Sequence, residues 1–229
     1  MTKDIREIPS YTPSEVAYYL RVPKNTVMHW LIGYPYQTNS GPAYSKPLIK
    51  IACKEPYLLS FFNLVEVHVL SALRRTHKIP MDRVRKALDY LGKFYSSPHP
   101  LVDNWFQTDG IHIFTSKVGK LECISQPGQL AMRELLERYL HRIDWDEKKL
   151  ALRLYPYTTK TPTDEIRLIV IDPAICFGRP VIKGSGIPTS IIAERWEAGE
   201  SPEDLVNDYG RTAQEIQEAL RCELRSSAA

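Results

Sequence analysis

Three stretches of this chain gather side chains able to do chemistry. Residues 172–190, DPAICFGRPVIKGSGIPTS, hold three glycines, three prolines, Arg179 and Lys183, a composition that raises phosphate binding. A P-loop needs G-x-x-x-x-G-K-[ST], but Lys183 precedes Gly184 instead of following it. A dinucleotide site needs G-x-G-x-x-G, and Gly184-Ser185-Gly186 has no third glycine in register. This stretch is therefore read as the punctuation of a small fold. The second stretch, Asp144-Trp145-Asp146-Glu147, gathers carboxylates, but acids at a helix start serve the helix dipole equally well. The third, Arg21 to His29, offers cations, an amide and an imidazole at spacings suited to a DNA groove.

Catalytic and metal chemistry find little else. The six histidines show no H-E-x-x-H spacing, there is no G-x-S-x-G, and the four cysteines (Cys53, Cys123, Cys176, Cys222) form no C-x-x-C pair. The expectation is reduced, buried thiols, no metal, no cofactor and no enzymatic activity. No run reaches the roughly 18–20 apolar residues of a membrane span, and MTKDIREIPS lacks a signal-peptide core, so a cytoplasmic protein is expected.

The elements that position the third stretch are clear. Thr12-Pro13-x-Glu15 reads as a capping box with proline at the first helical position, followed by Val16, Ala17 and Leu20 on one face. Pro23 breaks that helix, and Val27, Trp30 and Leu31 give a second apolar stripe that stops at Gly33. This is a helix-turn-helix whose second helix suits a major groove. Its outer face would carry Lys24, Asn25, Met28 and His29, with Thr26 at the margin and Arg21 in the turn. Arg21 and Lys24 would meet phosphates, and Asn25 or His29 base edges. A merely solvated face is the plainer reading.

The rest of the chain falls into two more parts. Loop-rich segments at 35–47, 95–104 and 155–165 place units at 1–50, 51–160 and 164–229. In the middle unit, 59–78, 84–92 and 126–143 read as helices, IHIFTSKVGKLECIS (111–125) as a hairpin, and KLALRLYP as a strand. Arg74, Arg75, Lys78, Arg83, Arg85 and Lys86 form a basic cluster, fit either to track a phosphate backbone or to face water. In the last unit a hairpin leads into three helices, two starting at Ser201-Pro202 and Thr212-x-x-Glu215. The fold class is therefore α+β and mainly helical. Residues 164–229 hold twelve acidic and seven basic side chains, a net of −5, while the remainder carries +8. A basic body and an acidic end suit two kinds of partner.

Two resemblances sharpen this. Thr12, Glu15, Val16, Ala17, Leu20, Val22, Thr26, Val27 and Trp30 match the opening helices of MerR-like regulators. That likeness implies a small hairpin wing over 34–51, where Tyr34, Tyr36, Lys46 and Lys50 would add backbone contacts. The pattern D-P-x-I-x-x-G-x-P-x-I-x-G-[ST]-x-I-P, then G-x-S-P-E-x-L and Y-x-x-T-x-x-[ED]-I-x-x-A-L, resembles a small prokaryotic domain long of unknown function, over 167–223. It departs from that family at Gly186 and Gly210, where Arg and Pro are usual. The resemblance implies a VapB-type antitoxin that neutralises a PIN-fold, VapC-type ribonuclease toxin and represses its own operon as a homodimer on operator DNA. Arg179, Lys183 and Arg195 are the candidate toxin contacts. A MerR-like regulator without a toxin is the alternative. A third reading makes both helix-turn-helix units DNA readers, and the acidic charge of the last unit argues against it.

Overall fold

The computed structural model describes residues 4–38, 41–77, 81–93, 97–103, 105–122, 124–157 and 167–224, with the backbone alone at 38, 73–77 and 122. The chain divides into two compact units, Met1–Leu152 and Arg153–Ala229. The architecture is α+β and mainly helical, its described strands forming small two-stranded sheets.

The first unit opens with α1 (Pro13–Leu20), α2 (Lys24–Ile32) and the antiparallel hairpin β1 (Tyr34–Thr38) and β2 (Gly41–Ser45). A second small hairpin, β3 (Cys53–Lys54) and β4 (Tyr57–Leu58), leads to the spine of the unit, α3 (Phe61–His77). Then follow α4 (Met81–Leu91), a π-helical turn at Phe106–Gly110, α5 (Ile111–Glu122), α6 (Gln126–Leu140) and β5 (Ile143–Trp145). Helix α3 packs on α1 and α6, and α5 lies between α4 and α6.

Helix α3 is buried on every side from Phe61 to Ala72, polar residues included, which is tolerable only where each polar group finds a partner. Asn63 does so fully. Its Nδ2 donates to the Lys50 carbonyl and to Glu66, both at 3.0 Å, and its Oδ1 accepts from the Ala52 and Ser60 amides. The Ser71 hydroxyl donates to the His68 carbonyl. Arg6, also buried, ties the amino-terminal turn to Asp4, to Asp146 at 2.6 Å and to the Ala151 carbonyl.

The hairpin expected at 111–125 is instead helix α5. Ile111, Phe114, Thr115 and Val118 are all buried and lie at i, i+3, i+4 and i+7, the period of one helix face. The β-branched and aromatic residues favour strand locally, but packing between α4 and α6 rewards the helical period instead. The cysteines also differ from expectation: Cys222 is buried, Cys53 and Cys176 are only half-buried, and Cys123 lies outside the described residues.

Strand β6 (Ala151–Leu154) spans the division, and the second unit continues with β7 (Ile169–Val170), paired antiparallel to β8 (Val181–Ile182). Helices α7 (Thr189–Glu197), α8 (Pro202–Tyr209) and α9 (Ala213–Leu224) complete the hairpin-plus-three-helix arrangement. Their core is Ile169, Ile182, Ile192, Leu205, Ile216, Ala219 and Leu220. Burial of each large aliphatic side chain is worth about 1.5–3 kcal/mol. Boxes at Ser201/Asp204 and Thr212/Glu215 start α8 and α9, and Gly210, at φ 58°, ends α8.

Candidate nucleic-acid interface

The interface begins with a capping box. The Thr12 hydroxyl accepts from the Glu15 amide at 3.2 Å, and the Glu15 carboxylate accepts from the Thr12 amide at 2.8 Å. Helix α1 closes at Arg21, which is left-handed (φ 52°, ψ 46°), and the Val22 amide donates back to the Ala17 carbonyl at 3.0 Å. Val22 is buried with Val16, Leu20, Val27, Trp30 and Leu31, so the turn is fixed by its own hydrophobic plug. With that stripe turned inward, Arg21, Lys24, Asn25 and His29 are exposed and Met28 is half-buried. Thr26 departs from expectation. It is 4% exposed and lies inside rather than at the margin of the outer face, because it falls on the turn of α2 that also buries Val27 and Trp30.

The wing is coupled to this helix in several ways. Gly33 takes φ 78° and ψ −174°, a region essentially closed to other residues, and the Ser45 carbonyl lies where a Cβ would stand. The Tyr44 hydroxyl donates to the Ile32 carbonyl. The His29 ring stacks on Tyr34 at 4.4 Å, and Tyr34 in turn lies 6.0 Å from Tyr36. Tyr36 and Tyr44 are well exposed, as are Lys46 and Lys50. After the wing, the Leu48 and Ile49 amides both donate to the Trp30 carbonyl, at 2.8 and 3.0 Å. Helix, hairpin and following loop are thus one hydrogen-bonded piece.

The described part of the basic cluster in the middle segment, Arg83, Arg85 and Lys86, is engaged with neighbours. Asp82 lies 3.5 Å from Arg83 and 3.7 Å from Lys86. Arg85 donates to the Lys46 carbonyl and, at 3.4 Å, to the Ser45 hydroxyl, strapping the base of the wing to α4. The side chains of Arg74, Arg75 and Lys78 lie outside the described residues.

The second unit carries the other candidate contacts. Arg179 and Lys183 are exposed, and the Lys183 ammonium lies 5.4 Å from the centre of the Tyr155 ring. Arg195 is committed within the unit: its Nε donates to Glu200 at 2.7 Å, its guanidinium also reaches Asp208 at 2.6 Å, and it lies over the Tyr209 ring. Glu200 foremost, then Asp208 and Tyr209, raise its pKa further above the ordinary arginine value. Gly184-Ser185-Gly186 forms a tight turn, with both glycines left-handed and the Ser185 hydroxyl donating to the Ile182 carbonyl. No group of three potential metal ligands occurs among the described residues, and none of their helices is long and apolar enough to cross a membrane.

Residues 9–88 match a family described as "Putative DNA-binding HTH domain", and residues 169–221 match one described as "Protein of unknown function (DUF433)". Over 93% of its length the chain is 30% identical to "Putative antitoxin VapB45" of Mycobacterium tuberculosis, covering 93% of that protein. The chain belongs to the VapB45 family. A second relative from the same organism, "Uncharacterized protein Rv2308", is 25% identical over 92% of this chain and 88% of its own length. The crystal structure of Rv2018 from M. tuberculosis superposes with a TM-score of 0.67 at 26% identity, over 93% of this chain and 98% of that one. The architecture described above is therefore shared along nearly the whole of the Rv2018 chain.

For a VapB45-family chain, the helix-turn-helix residues were readable from local signals. The wing strap was not. Arg85 sits about forty residues from its partners at Ser45 and Lys46, and a cation in a basic run carries no mark of which carbonyl it will hold. The His29–Tyr34 stack had a weak signal, an aromatic placed just past a helix stop.

Proposed function

We propose that this protein is the antitoxin of a type II toxin–antitoxin pair, and that it neutralises a PIN-fold, VapC-type ribonuclease by direct binding. It also represses its own operon by binding operator DNA as a homodimer. The observation that carries the DNA half is the exposure of Lys24, Asn25 and His29 on α2 while Val27, Trp30 and Leu31 lock that helix to the unit. In this reading Lys24 and Arg21 meet phosphates, Asn25 and His29 meet base edges, and the wing adds Tyr36 and Lys46. Two copies on a palindrome would place their α2 helices about 34–36 Å apart. The toxin half is supported by full-length similarity to a protein named as an antitoxin. It is supported too by the opposite charge of the two units, +6 for residues 1–152 and −3 for 153–229. Arg179 and Lys183 remain the proposed toxin contacts, and Arg195 supports α8 instead.

The test is co-expression with the product of the adjacent reading frame, purification through a tag on this chain, and growth measured with and without it. A stable complex that relieves growth arrest supports the reading. No complex and no toxicity leaves a lone regulator of MerR-like type.

A further inference from the structure

Among the described residues, the most exposed large apolar side chain is Phe177, at 91%. Its backbone is left-handed (φ 55°, ψ 30°), and its neighbours Cys176 (φ 46°) and Gly178 (φ 75°) are left-handed too. Two successive residues with a Cβ are thus held where only glycine sits comfortably. Such strain persists only where surroundings enforce it, and it concentrates at functional sites.

The surroundings do enforce it. Asp172 accepts from the Ala174 amide and from Arg153, and the Ile175 amide donates to the Asp172 carbonyl at 2.9 Å. The Gly178 and Arg179 amides close the turn on Ile175 and Cys176, and the Cys176 thiol donates to the Gly186 carbonyl at 3.0 Å. Ile175 and Cys176 are seated on a cluster of Tyr155, Val170 and Val181. The backbone on both sides of Phe177 is tied down, and Phe177 is the large apolar side chain of this turn left exposed. An aromatic ring carried on so constrained a backbone loses little main-chain entropy on docking, and such aromatic side chains are typical interface anchors. The turn that carries it also carries a cation, and two more stand on the Tyr155 ring of the cluster that seats Ile175 and Cys176. Arg179 lies two residues on, and Arg167 and Lys183 both stand over the Tyr155 ring, at 5.1 and 5.4 Å.

We propose that Phe177 is the apolar anchor through which the second unit grips its protein partner, and that the partner offers a hydrophobic pocket rimmed by carboxylates. This rests on the antitoxin reading, which supplies a toxin as that partner. The exposed cations Arg179 and Lys183 of the same unit favour an acidic rim, and the ring fills the pocket.

The test uses the full-length chain titrated with the purified product of the adjacent reading frame. Phe177→Ala is expected to weaken binding about 30-fold or more, the effect of losing a central aromatic anchor. Phe177→Gly should lose binding equally while its unfolding temperature stays level or rises, since glycine relieves the left-handed strain and no packing is lost. Glu197→Ala, on the exposed face of α7, should bind as wild type. Binding by both Phe177 variants within threefold of wild type overturns the proposal. So does a fall in unfolding temperature that accounts for the loss. A change in self-association or operator affinity, with partner binding intact, overturns it as well. No binding by wild type defeats the antitoxin reading itself and the anchor with it, an outcome distinct from variants that bind normally.

Discussion

Lys24 and His29 are both exposed on α2, five residues and so about 140° apart around the helix, and differ in what they can do. Lysine offers a point charge to phosphate, whereas His29 is held in plane by its stack on Tyr34, a restraint that suits base-edge contact. Both side chains are exposed and neither belongs to the core, so replacing both by alanine loses only the His29 stack and the fold should survive, while operator affinity falls about 100-fold or more, at roughly 1–3 kcal/mol per contact. Fluorescence anisotropy on a labelled operator checks this, and unchanged affinity would remove α2 from the interface. His99 offers a second residue-scale test. Burial draws its pKa down, but the nearby carboxylate of Glu66, 3.3 Å away, outweighs burial and raises it above the ordinary 6.5. Glu7 adds to that rise and Lys50 opposes it. A histidine whose folded pKa is raised contributes stability that is complete below the unfolded value and lost as pH climbs through the folded one. Urea midpoints of the wild type should therefore decline from about pH 6.5 upward, and those of His99→Gln should not.

Elements in this chain start and stop on short-range chemistry. Capping boxes at Thr12, Ser201 and Thr212 begin three of its helices, and each is visible three residues downstream in the sequence. Gly33 does more than stop α2. Its φ and ψ, with the Ser45 carbonyl close by, set the angle at which the hairpin leaves the helix. Gly33→Ala is expected to cost about 1–3 kcal/mol and, by swinging the wing, to weaken operator binding as well. Chemical denaturation and anisotropy on the same sample would show both effects, and a stability unchanged within 0.5 kcal/mol, about the scatter of neutral surface changes, would contradict this account of the turn. Helix α5 marks the limit of local signals. Its sequence alternates around Lys117–Lys120 like a hairpin, yet Ile111, Phe114, Thr115 and Val118 satisfy a helix face, and only the neighbours α4 and α6 choose between the two.

At the scale of the whole molecule, the basic first unit and the acidic second unit divide the proposed work. A positive unit gains from counterion release on DNA, and a net-negative unit is poorly suited to that role. A fragment ending at Thr163, which keeps β6 whole, should bind operator within about threefold of the full chain, since binding contacts are local to α2 and the wing. It should give no protection from the toxin. Protection by that fragment in a growth assay would move toxin binding to the first unit.

What the sequence alone determined is what depends on residues a few positions apart: the helix-turn-helix with its plug and caps, the glycine turn at 184–186, the three-helix run and the α+β class. Each follows from backbone rules that act within one turn of chain. Tertiary structure alone decided the matters that depend on distant partners. It buried Thr26, turned 111–122 into a helix, gave Arg85 to the wing and Arg195 to α8, and left Phe177 in the open. A side chain's charge and shape are local properties, but its burial and its partner are set by whatever the rest of the chain packs beside it.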